Sequence, residues 1–117
     1  MNTFICYDRC GTCRKAEKWL QEKNIPYEKR PIKENNPTYE ELKSWKEKTC
    51  LPMKRFFNTS GQLYKTMNLK DRLKEMDEEE QLRLLSSDGM LVKRPVFLAG
   101  DKILTGFKET EWQEALL

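Results

Sequence analysis

Histidine does not occur in this sequence of 117 residues. Its absence excludes serine–histidine and cysteine–histidine catalysis and every histidine-ligated zinc or haem site. Any chemistry falls to cysteine, carboxylate, lysine, arginine or hydroxyl groups. Long apolar runs are missing as well: none approaches the roughly 18 residues of a membrane span, and residues 1–7 are too short for the apolar region of a signal peptide. Nor does one charge dominate. The 22 basic and 19 acidic residues leave a net +3, interspersed along nearly the whole length, which is a solubilising surface and not a nucleic-acid footprint. The expectation is a cytoplasmic protein with no direct nucleic-acid contact and no membrane association. No repeat, low-complexity tract or flexible linker is visible, so residues 1–117 read as one domain. A chain of this length buries roughly two-thirds of its unfolded surface, enough for a core without disulfides or a structural metal.

The order of elements is read from periodicity and punctuation. Residues 2–7 are an apolar, β-branched run that predicts a buried strand. Ala16, Trp19, Leu20 and Lys23 share a helical face, and Asn24 with Pro26 stops a helix begun near Gly11. Residues 27–32 predict a second strand, parallel to the first through a right-handed crossover. Thr38 with Glu41 three residues on has the form of a capping box. A short helix is predicted over residues 51–57 and one or two further helices over residues 63–73, and Asp77 is placed to cap a run through Leu85. Residues 96–99 and 102–105 predict a hairpin around Gly100-Asp101, with a closing helix over residues 110–117. The result is β-α-β, a helical stretch, then β-β-α. The sheet part covers residues 1–35 and 90–117, and residues 36–89 read as a helical insertion packed on the sheet. Trp19, Trp45 and Trp112 fall in amphipathic helices and are assigned to the core.

Cys10-Gly11-Thr12-Cys13 lies between the first strand and the first helix. The unpaired N–H groups and dipole of the first turn stabilise a thiolate there, and Arg9, Arg14 and Lys15 add positive charge. Cys10 is therefore predicted to have a lowered pKa and to act as a nucleophile. Cys13, at a spacing that suits a disulfide, is predicted to resolve the covalent intermediate. A metal site built from Cys6, Cys10, Cys13 and Cys50 would lack the second CxxC of a zinc knuckle, and Cys6 and Cys50 read as small core residues. Arg94-Pro95 opens the third strand, where proline is tolerated.

Four segments then resemble one family: residues 10–16 (Cys10-Gly11-Thr12-Cys13-Arg14-Lys15-Ala16), Phe57-Asn58-Thr59-Ser60-Gly61, Arg94-Pro95 and Gly106-Phe107-Lys108-Glu109. Together they resemble the arsenate reductase family of the thioredoxin fold, nearest its Spx-like branch. The resemblance implies an α/β, thioredoxin/glutaredoxin-like fold with a helical insertion. It also implies a thiol-dependent oxidoreductase with Cys10 and Cys13 catalytic, and Gly11, Thr12, Arg94 and Pro95 around a bound anion. No metal or resident cofactor is implied; glutathione, glutaredoxin or thioredoxin would serve as reductant, and a small oxyanion or a protein disulfide as substrate. Asn58 and Gly106 stand where glutaredoxin-coupled reductases carry two further arginines. Those enzymes also usually lack a cysteine at the position of Cys13, so the resemblance favours an intramolecular thiol–disulfide switch. The regulatory relatives imply the alternative of a redox sensor that binds an RNA polymerase subunit.

Overall fold

The structure is a computed structural model that describes residues 2–117; Met1, counted in the sheet part by the sequence reading, lies outside the described residues. The elements run β1 (Thr3–Cys6), α1 (Gly11–Glu22), β2 (Glu28–Pro31), α2 (Tyr39–Thr49), α3 (Gln62–Thr66), α4 (Leu69–Arg72), α5 (Glu78–Ser87), β3 (Val96–Ala99), β4 (Lys102–Thr105) and α6 (Glu109–Leu116). Contacts divide the chain into two units, residues 2–31 with Arg94–Leu117, and Ile32–Lys93.

The first unit is a four-stranded sheet in the order β2-β1-β3-β4. β1 and β2 are parallel, as the crossover through α1 requires. β3 runs antiparallel to β1 and to β4, with Phe4 opposite Phe97 and Phe97 opposite Leu104. Gly100, at φ +61°, supplies the left-handed residue of the β3–β4 turn. α1 ends as predicted, with Asn24 at φ +56° just beyond it. Because side chains alternate along a strand, Phe4 and Cys6 share one sheet face with Phe97. That face meets Cys13, Ala16, Trp19 and Leu20 of α1 and Trp112 of α6. Trp112 is fully buried, its ring 5.0 Å from that of Phe107 and 5.3 Å from that of Phe97. Its indole Nε1 donates to the Gly106 carbonyl at 3.0 Å, so burial leaves no orphaned polar group there. This β-α-β then β-β-α arrangement is the thioredoxin/glutaredoxin-like fold.

The second unit is helical. Capping boxes start α2 at Thr38 with Glu41 and α5 at Asp77 with Glu80, each satisfying orphan N–H groups of a first turn. Trp45 on α2 and Leu82 and Leu85 on α5 are buried. The helix expected over residues 51–57 is instead a 3-10 turn, Met53–Phe56. Pro52 precedes it, and beyond it Phe57 bridges antiparallel to Val92, which forces extended backbone. The stretch over residues 63–73 breaks into α3 and α4, because Asn68 between them adopts φ +53°. Cys50 corrects a sequence expectation: it is exposed, not a core residue. It takes the left-handed C-cap of α2 at φ +55°, its N–H donating to Lys46 O at 2.9 Å, and this position places its side chain outside the helix's apolar face.

Candidate functional site

The turn between β1 and α1 is closed by the Cys10 N–H donating to Tyr7 O at 2.9 Å. Cys10 is the N-cap of α1, with extended φ −90° and ψ 122°, and its carbonyl accepts the Arg14 N–H at 3.1 Å. Gly11 and Thr12 are exposed in the first turn, Cys10 is half-buried, and Cys13 is buried one turn in, with 2% exposure. The Tyr7 backbone N–H donates to Cys13 Sγ at 3.3 Å.

The two thiols are electrostatically unequal. Burial alone would push the Cys10 pKa up. Against it, the Cys13 N–H, the Cys13 thiol and the Thr12 N–H favour the thiolate, with a further contribution from the Arg94 guanidinium, and the balance falls below an ordinary thiol. Cys13 is pushed up to about 12, first by burial and then by the charge and thiol of Cys10, against the opposing Tyr7 N–H. Cys6, at the end of β1, is pushed up to about 11, mainly by burial. The asymmetry and the part played by the first-turn N–H groups match the sequence expectation, but the source of the positive charge does not. Arg94 supplies the charge in place of Arg9, Arg14 and Lys15, all exposed. Arg14 is turned toward the turn backbone, its Nε donating to Asp8 O at 2.9 Å.

Arg94 and Pro95 are joined by a cis peptide bond. The Arg94 guanidinium lies 5.3 Å from the centre of the Tyr7 ring, a cation–π contact that ties the start of β3 to the thiol turn. Pro95 is buried, and its carbonyl accepts the Gly106 N–H at 2.8 Å. Gly106 has φ +71°, a conformation that favours glycine. Sequence reasoning missed Tyr7, whose ring contact with Arg94 is visible only once β1 and β3 are paired.

It also missed a polar cluster beside the turn. Lys29 of β2 pairs with Asp8 at 2.9 Å and Glu17 at 3.2 Å, and the Tyr27 hydroxyl donates to Glu17 at 2.7 Å. The parallel register brings Lys29 opposite Phe4, a pairing that no local spacing announces. Among the described residues no group of three or more cysteines or carboxylates is placed to hold a metal ion.

Fold and thiol turn together define a thioredoxin-like protein with a CxxC at its first strand–helix junction. The chain belongs to the ArsC family, whose model matches residues 6–115. It is 52% identical to the uncharacterised protein YusI of Bacillus subtilis over 96% of this chain and 95% of that protein. It is 32% identical to the regulatory protein MgsR of the same organism, over 93% and 85%. The crystal structure of an ArsC family related protein from Bacteroides fragilis superposes with a TM-score of 0.93 at 50% identity, covering 97% of this chain and 95% of that one. Further relatives include global transcriptional regulators named Spx, and further structures include arsenate reductase (ArsC) related proteins.

Proposed function

We propose that this protein is a cytoplasmic thiol–disulfide redox protein in which Cys10 is the nucleophile and Cys13 the resolving thiol. The observation that carries the reading is the asymmetry of the pair: Cys10 half-exposed with a lowered pKa, Cys13 buried and raised to about 12. With a disulfide substrate, the Cys10 thiolate attacks one sulfur and forms a mixed disulfide, and the other sulfur leaves as a thiolate that takes up a proton. Cys13, losing its proton, then attacks Cys10 Sγ. The Cys10–Cys13 disulfide forms, the second substrate thiol departs, and the substrate has gained the two electrons that the protein has lost. Glutathione, glutaredoxin or thioredoxin returns them.

A small oxyanion would sit at the first turn of α1, on the N–H groups of Gly11, Thr12 and Cys13, with Arg94 as counter-charge and Pro95 beside it. Gly106 brings no charge, so arsenate turnover is expected to be low and protein disulfides to be the better substrates. The decisive experiment is a Cys13→Ser pull-down from cell extract. Mixed disulfides on Cys10 support the reading, and peptide mapping of the oxidised wild type should find Cys10 linked to Cys13. A dominant linkage through Cys6 or Cys50 would overturn both roles.

The regulatory names of MgsR and Spx favour a second reading, in which the same disulfide gates binding to an RNA polymerase subunit. Recovery of RNA polymerase in one redox state only, without turnover of any disulfide, would select it.

A further inference from the structure

Within Ile32–Lys93 there is a cavity of about 240 Å³ lined by Pro52, Lys54, Arg55, Phe57, Thr59 and Lys93. Backbone pairing fixes its frame. The 3-10 turn Met53–Phe56 carries Lys54 and Arg55, and the strand-like bridge of Phe57 to Val92 sets Lys93 alongside. Two hydrogen bonds of 2.8 Å, from the Lys93 N–H to Phe56 O and from the Asn58 N–H to Leu91 O, hold the two segments together. Phe57 is buried and Pro52 exposed, so two apolar rings stand with three cationic side chains and one hydroxyl.

Among the described residues, Lys54, Arg55 and Lys93 form no ion pair, although Arg55 and Lys93 are half-buried. Three cations around one concavity repel each other, and their mutual repulsion falls when an anion enters. One carboxylate would neutralise a third of that charge. A phosphomonoester brings close to two negative charges and three acceptor oxygens. The Arg55 fork can hold two of those oxygens, the lysines act as point charges, and the Thr59 hydroxyl donates. The volume lies below the ~300 Å³ at which drug-sized pockets begin, enough for a phosphoryl head and a short organic body against the rings.

We propose that this cavity binds a small phosphomonoester. It shares no residue with the Cys10 site, so this assignment stands or falls separately from the redox reading. The test is a titration of the full-length ¹⁵N-labelled protein with glycerol 3-phosphate, with inorganic phosphate and glycerol in parallel. Saturable shifts are expected at residues 54–59 and 93 with glycerol 3-phosphate, weaker ones with phosphate, and none with glycerol. Arg55→Ala and Lys93→Ala should each weaken binding about tenfold, the loss of one charge-assisted contact. Lys93→Arg should retain it, and so should Cys10→Ser. Shifts confined to residues 11–13, or undiminished affinity in a folded Arg55→Ala protein, would overturn the proposal. Equal affinity for inorganic phosphate would overturn the assignment of an organic ester.

Discussion

The two units of the chain are held by different physics. The sheet unit depends on non-local pairing: β1 meets β3, Thr3 opposite Leu98, and its aromatic cluster joins residues from both ends of the sequence. The helical unit depends far more on local instructions, with Thr38 and Asp77 capping their own helices and Asn68 dividing its own stretch. The groups that set the Cys10 thiolate draw on both kinds of instruction. Thr12 and Cys13 come from α1, but Arg94 arrives from the far end of the chain. The helix start thus supplies the larger part locally, and long-range pairing adds the one distant cation.

The harshest way to break the comparison is Trp112→Ala. The ring is fully buried against Phe4, Trp19, Phe97 and Phe107. Its loss should cost about 3–5 kcal/mol, read as a fall in the urea midpoint, and should abolish the selective alkylation of Cys10.

Alkaline pH acts next, and through the sheet unit. Cys6 and Cys13 have folded pKa values raised to about 11 and about 12, from 9.0. Their neutral forms are favoured by folding, so this stability is fully present below about pH 9 and is lost as pH rises through the folded values. Cys10 runs the other way: lowered on folding, it contributes stability above the ordinary thiol pKa and loses it as pH falls through its own value. Under reducing conditions the urea midpoint should fall above about pH 9, with the slope flattened by Cys13→Ala, whereas Cys10→Ala should remove a rise with pH that lies below about pH 9. A flat profile in the wild type would remove the burial argument for Cys13.

In the helical unit the matching change is smaller. Asp77→Ala removes the side-chain acceptor for the Glu80 N–H at 2.8 Å, at a cost of about 1 kcal/mol. The thiolate absorbance of Cys10 against pH should be unchanged, because its stabilising groups lie on residues 12, 13 and 94. A shifted titration would show that the division of labour between the units is incomplete.

The same division explains what the sequence made legible. The Thr38–Glu41 capping box, the Asp77 cap and the β3–β4 hairpin are readable because each is specified by residues within a few positions of one another. The CxxC at a strand–helix junction was readable for the same reason. The exposed Cys50 was not, because its left-handed C-cap depends on where α2 stops. The 3-10 turn at Met53–Phe56 depends on Val92, and the Tyr7–Arg94 contact on strand order. Arg9, Arg14 and Lys15 are local but exposed, while the cation that favours the Cys10 thiolate, Arg94, comes from a distance.

The mildest test concerns the ion pairs that brace the turn. Lys29 joins Asp8 and Glu17, yet the Asp8 side chain is 80% exposed and that of Lys29 42%. Solvent screens such pairs, so Lys29→Met should cost only about 0.2–1 kcal/mol, less at high salt. Its effect on chemistry should also be small in one direction. Lys29 lowers the Cys6 pKa and is not among the main influences on Cys10, so removing it raises Cys6 further and leaves the thiolate of Cys10 in place. Alkylation rates of Cys10 against pH in Lys29→Met and wild type measure this. Coincident profiles would confine the cluster to holding β2 beside the turn; a profile displaced to higher pH would make Lys29 a positioning residue for the nucleophile.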